Sequence, residues 1–225
     1  MAARFENEIS NFLTTLECNV ALPGGFSILN PYSNAETCRV VVEMCRKYYS
    51  KRVQRLPIWG INPGRFGAGL TGLSFTDPYA LRYDLKIESS VEGRRESSAE
   101  FIYRVISEYG GAHKFYEQNY LSALSPLGFL KNNVNINFYD DVKFSQRMIP
   151  FILECMKAQH RFELRSDKCV VLGTGKLKSY FEKYIQPEMQ YQHVVFLEHP
   201  RYIMQYKRSV VGTYVDKYVK ALSNE

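Results

Sequence analysis

Apolar positions along the chain switch between a helical and a strand spacing, and the switches divide the sequence into short units. Phe5 to Leu16 has helical spacing. Ser33-Asn34-Ala35-Glu36 is a capping box, and the helix it opens carries Val41, Met44 and Tyr48 on one face. Leu56 to Ile61 is a short buried strand that runs into a Gly/Pro-rich loop. Ser89 to Ser98 is polar and charged, a surface loop. Ser97-Ser98-Ala99-Glu100 is a second capping box, whose helix should stop at Gly110-Gly111. Asn119 to Leu124 has strand character, and Val142 to Arg161 is long enough for a helix that Pro150 should break or kink. Lys168 to Leu172 predicts a strand, followed by Gly173-Thr174-Gly175 and a helix to Tyr184. His193 to Leu197 predicts another strand, followed by Glu198-His199-Pro200. From about Tyr206 the spacing predicts a helix to the end, with Val211, Tyr214, Tyr218 and Leu222 on one face.

Strand followed by helix recurs about four times. That order predicts an α/β fold, a three-layer α/β/α sandwich around a central, mainly parallel four-stranded sheet. There are no repeats, low-complexity linkers or shifts of composition, so one domain over residues 1–225 is expected. In such sheets ligands bind at the carboxyl ends of the strands. The unusual loops all fall there: Asn62 to Phe75, Ser125-Pro126-Leu127, Gly173 to Lys176, and His199 to Lys207.

Composition narrows the function. The 225 residues include 29 basic and 23 acidic side chains, a net charge of +6, with 45% apolar residues, as in ordinary globular proteins. No apolar run approaches the roughly 18 residues of a spanning helix. Glu6 and Glu8 stand where an export signal needs apolar residues, so a cytoplasmic protein is expected, nucleoid-associated if bacterial. The five cysteines are odd in number and form no CxxC pair, which argues against a disulfide framework or a four-thiolate metal site. Seventeen tyrosines and fourteen phenylalanines beside a basic balance suit single-stranded or flipped-out nucleic acid, although most rings must be core. Gly173-Thr174-Gly175-Lys176 is not a phosphate-binding P-loop: Val170 replaces its first glycine and Leu177 its Ser/Thr. No GxSxG elbow or HExxH zinc motif occurs.

The loop from Gly60 to Phe75 is the most informative segment. It holds five glycines, a rigid Pro63 directly after Asn62, the cation Arg65 and the flat ring of Phe75. It resembles the first signature of the uracil-DNA glycosylase superfamily, most nearly that of the single-strand-selective monofunctional uracil-DNA glycosylases. That loop reads Gly-Met-Asn-Pro-Gly-Pro-Phe-Gly and continues to Thr-Gly and Phe. The spacing from Asn62 through Thr71-Gly72 to Phe75 matches without a gap. The family's second signature begins His-Pro, here His199-Pro200.

The resemblance implies a monofunctional DNA glycosylase that flips uracil out of DNA and hydrolyses its N-glycosidic bond. Asn62 would hold the attacking water, His199 would stabilise the departing base, and Phe75 would stack on it. Gly60, Ile61, Pro63, Gly64, Phe66, Ser122, Ala123 and Ser125 would surround the substrate. Arg65, Lys176, Arg201, Tyr202, Ile203, Met204, Lys207 and Arg208 would contact DNA, with the side chain that wedges into the base stack among Tyr202 to Met204. No metal or cofactor is implied. The expected partner is single- or double-stranded DNA containing uracil or another deaminated base, bound by a monomer without a membrane.

Two departures modify this expectation. The Ser-Pro-Arg that follows His-Pro in the family is here Arg201-Tyr202-Ile203. The Asn that reads the base edge in the family corresponds to Ala123, which predicts looser specificity reaching xanthine or hypoxanthine, or readout by Asn119, Asn132 or Asn133. The rival reading is a catalytically inactive protein of the same fold that binds single-stranded nucleic acid. A hydrolase of free nucleosides fits less well, because the two loops are basic and lack an acidic ribose-binding cluster.

Overall fold

A computed structural model describes residues 5–223. The chain order is α1 (Phe5–Thr14), β1 (Phe26–Leu29), α2 (Ala35–Tyr48), β2 (Leu56–Gly60), α3 (Ala68–Thr71), α4 (Pro78–Tyr83), α5 (Ser97–Glu108), α6 (Ala112–Gln118) and β3 (Asn119–Ala123). It continues with β4 (Gly128–Lys131), β5 (Val134–Ile136), α7 (Val142–His160), β6 (Lys168–Leu172), α8 (Lys176–Tyr180), α9 (Gln186–Met189), β7 (His193–Leu197), α10 (Pro200–Tyr206) and α11 (Val211–Leu222).

The expected α/β/α sandwich is present. Its central sheet is four-stranded, with order β3-β2-β6-β7 and every pairing parallel. All residues of β2 and β3 are buried, as a sheet covered on both faces requires. Helix α5 packs on α6, α10 and α11, and α2 packs on α1 and α6. Helix α7 packs on α9 and the segment before it. From β2 the chain first crosses to β3 on one side, and β6 then pairs on the other side of β2. This reversal opens a crevice beyond the carboxyl ends of β2 and β6, where open α/β sheets bind ligands.

A second sheet was not anticipated from the sequence. Strands β1, β4 and β5 pair antiparallel in the order β1-β4-β5. Asn132 and Asn133, at φ +50° and +61°, form the two-residue turn between β4 and β5.

Several helix boundaries also differ from expectation. The cap of α2 is Asn34, whose side chain accepts from the Glu36 and Thr37 amides, while Ser33 Oγ donates to the Asn30 carbonyl. Ser97 does not cap α5 but is its first residue. The preceding Glu96 makes no side-chain cap, and its own amide donates to buried Asp77. Helix α7 runs unbroken through Pro150, because both Pro150 and Gln146, whose carbonyl loses its partner, face solvent. The helix after Gly175 extends past Tyr184. It passes through a π turn at Phe181–Ile185 into α9, next to Pro187, which has no N–H to give an α-type bond. The segment after His199 is not a loop leading to one long helix. It is α10, a 3₁₀ turn at Arg208–Val210, and then α11, whose buried face is Val215, Tyr218 and Leu222.

Candidate active site

The carboxyl ends of all four central strands, with β5 and the start of α5, build one cleft of about 1520 Å³. The segment leaving β2 begins at Gly60, whose tight approach to Phe75 is obligatory: a Cβ there would lie 2.6 Å from the Phe75 ring. Short bonds fold the rest of this segment back on itself. The Gly69 amide donates to the Gly64 carbonyl at 2.8 Å, and Thr71 Oγ1 donates to the Thr76 carbonyl at 2.6 Å. Helix α3 occupies part of what the sequence presented as loop. Phe75 itself adopts φ +54°, an uncommon state for a bulky residue, of the kind that costs on the order of 1–3 kcal/mol.

Asn62 sits where the two sheets meet. Its Oδ1 accepts from the Phe138 amide at 3.2 Å, and its Nδ2 donates to the Ile136 carbonyl at 3.2 Å. The amide therefore ties the β2 exit to the end of β5. The carbonyl oxygen has a second lone pair for another donor.

His199 leaves β7 as the N-cap of α10. Its Nδ1 accepts from the Arg201 amide at 3.1 Å, which places the imidazole proton on Nε2. Removal from water, and secondarily the Arg201 charge, hold its pKa down at about 4. Near neutral pH the ring is uncharged, with an N–H available to donate. Phe75 and His199 face one another with ring centroids 5.7 Å apart at a 45° tilt.

Other expected site residues divide into those the cleft gathers and those it does not. Gly60, Ile61, Pro63, Gly64, Phe66, Ala123, Arg65, Lys176, Arg201 and Tyr202 line it. Ser122 and Ser125 do not: Ser122 Oγ donates to buried Gln159 at 2.5 Å, and Ser125 Oγ donates to the Leu127 carbonyl at 2.7 Å. Ile203 and Met204 are 0% and 4% exposed, so neither can act as a wedge; Tyr202, 44% exposed, is accessible. Lys207 and Arg208 lie outside the cleft lining, and Arg208 is 3.8 Å from the Glu100 carboxylate. The substitutes considered for base readout are also misplaced. Asn119 is buried, and Asn132 and Asn133 form the hairpin turn rather than the cleft.

The cleft includes residues that sequence reasoning missed. Asn135 and Asn137, at and just beyond β5, line it. A Cβ on Gly64 would meet only Asn135 Nδ2, at 3.6 Å, so Gly64 leaves open space beside that amide. The alternation Val134-Asn135-Ile136-Asn137 after an Asn-Asn turn was the available signal. Arg94, Arg95 and Glu96 also line the cleft. Burial raises the Glu96 pKa, with nearby Asp77 adding to it and Arg201 and Arg94 opposing it. Among the described residues no group of three or more His, Cys, Asp or Glu is placed to hold a metal ion.

Comparison with known proteins agrees with the resemblance drawn from the motifs. The family model "Uracil DNA glycosylase superfamily" matches residues 47–223. The crystal structure of wild-type SMUG2 from Pedobacter heparinus is similar with a TM-score of 0.92 and 38% identity, covering 96% of each chain. No curated protein matches the chain. The chain belongs to the uracil-DNA glycosylase superfamily.

Proposed function

We propose that this superfamily member excises uracil from DNA by hydrolysing the N-glycosidic bond. The observation that carries this reading is the convergence of Asn62 and Phe75, from the β2 exit, with His199, from the β7 exit, on one cleft, with the His199 proton held on Nε2. As the bond between the base and C1′ breaks, its electron pair stays on the base and positive charge develops on the sugar. Water attacks C1′ and releases its proton to solvent, leaving a free base and an abasic site. The sugar cation is strongly electrophilic, so the water needs positioning more than deprotonation. The free lone pair of Asn62 Oδ1 serves that purpose without a titratable base.

His199 Nε2–H donates to a base carbonyl oxygen as negative charge builds there. Such a preorganised donor is worth on the order of a hundredfold or more in rate. Phe75 presents its ring to the flipped base. With Ala123 at the cleft where the family has an amide, base recognition is looser and extends to xanthine or hypoxanthine. Asn135 and Asn137 are the amides placed to supply part of that recognition.

The test is single-turnover cleavage of labelled oligonucleotides carrying one uracil, xanthine or hypoxanthine, single- and double-stranded, with alkali to break abasic sites. Alkali-dependent cleavage at uracil that is lost in Asn62→Ala supports the mechanism. Salt-sensitive binding without cleavage of any substrate would instead establish a non-catalytic DNA-binding protein. Lys176 is the expected DNA-contacting lysine that lines the cleft. Borohydride should nevertheless trap no enzyme–DNA adduct, since hydrolysis proceeds through water alone.

A further inference from the structure

Among the described residues five aromatic side chains are exposed: Phe66, Tyr79, Tyr83, Tyr202 and Tyr206. Phe66, Tyr202 and Tyr206 line the cleft, and the other two continue from it. The guanidinium groups of Arg65 and Arg94 lie 4.8 and 4.4 Å from the centre of the Phe66 ring. Arg95, next in the chain and also lining the cleft, lies 4.1 Å from the Tyr79 ring. Tyr79 and Tyr83, one turn apart on α4, have ring centroids 4.5 Å apart. Phe66, Arg94, Arg95, Tyr79 and Tyr83 therefore form a run of ring faces and cations, in contact in turn, that leads out of the cleft.

Exposure of three large rings in one run has no packing explanation, because none of them fills the core. Cations interleaved with flat apolar faces match the chemistry of an unpaired polynucleotide, whose bases stack on rings while its phosphates take guanidinium groups. An incoming base can displace a guanidinium from a ring face, and the freed cation is then available to a phosphate. Bases in a duplex are stacked on each other and cannot use such faces.

We propose that Phe66, Tyr79 and Tyr83, interleaved with Arg65, Arg94 and Arg95, form a stacking track for unpaired DNA bases beside the nucleotide held in the cleft. The position of that nucleotide rests on the proposed function, but binding along the track does not.

Binding is measured by fluorescence anisotropy with uracil-free single strands of about four and about twelve nucleotides, and with a blunt duplex. The protein variants are Tyr79→Ala/Tyr83→Ala and the ring-retaining Tyr79→Phe/Tyr83→Phe. The alanine pair should lose about tenfold or more in affinity for the long strand, with little change on the short strand or duplex, and the phenylalanine pair should bind as the wild type. No loss in the alanine pair, an equal loss on duplex, or no binding of single strands by the wild type would overturn the track. Because the probe carries no uracil, binding is read apart from excision: a wild type that binds it through the tyrosines but cleaves none of the uracil-, xanthine- or hypoxanthine-containing oligonucleotides would refute the glycosylase reading and leave the track standing.

Discussion

The two strand exits that face each other across the cleft are built on opposite plans. The β2 exit is a long irregular segment in which Gly60, Asn62 and Phe75 are fixed by close contacts, backbone bonds and one strained residue. The β7 exit has almost no loop: His199 caps α10 directly, and one bond from the Arg201 amide orients its ring. The first places atoms by constraint. The second sets the charge state of a group by its surroundings. A reaction that must position water and also accommodate charge on a leaving base needs both.

Substitutions should separate the two plans. Asn62→Ala and His199→Ala should each slow single-turnover excision of uracil by about a hundredfold or more. Asn62→Ala should also cost more thermal stability than His199→Ala, because it leaves both the Phe138 amide and the Ile136 carbonyl without partners, at about 1–3 kcal/mol each, whereas His199→Ala removes the single cap bond to the Arg201 amide, at about 1 kcal/mol. Equal melting temperatures for the two variants would dissolve the distinction. Gly60→Ala comes next. Its Cβ must displace the Phe75 ring, costing about 1–3 kcal/mol in stability and slowing excision while DNA affinity is largely kept.

The pH dependence tests the β7 exit. With its pKa at about 4 rather than the ordinary 6.5, His199 is neutral across the physiological range, so excision should show no inflection near 6.5. By linkage, the unfolded chain binds the His199 proton more readily. Its contribution to stability is therefore complete above 6.5 and declines as pH falls toward 4. NMR titration of the ring with a midpoint near 6.5 would refute this. The smallest effect belongs to Arg201→Ala: the midpoint should rise yet stay below 6.5, since burial is the larger cause.

The same contrast governs what the sequence disclosed. The β2 exit was legible because its geometry is local, and glycines, proline and ring recur at fixed spacing between Gly60 and Phe75. The parallel sheet was legible because its buried strands are short apolar runs between helical segments. The region after His199 was misread. A histidine N-cap lacks the Ser/Thr/Asp/Asn signature, so α10 looked like loop and its core residues Ile203 and Met204 looked accessible. The antiparallel sheet escaped because its strands are only three or four residues long and β1 pairs with β4 across about 100 residues of chain. Asn135 and Asn137 went unnoticed with it. Ser122 was misassigned because a strand buried on both faces gives no sign of which face looks into the cleft.

Asn62 joins the β2 exit to β5, and through that junction the proposed excision should depend on heat. Strand β5 is three residues long, lies at the edge of its sheet and leaves Val134 63% exposed, so it is among the first segments that warming should loosen. Once β5 frays, Asn62 loses its Ile136 partner while the parallel sheet is still intact. Activity should thus fail several degrees below the melting of the core and return on cooling, which makes the small sheet a thermal fuse for the large one.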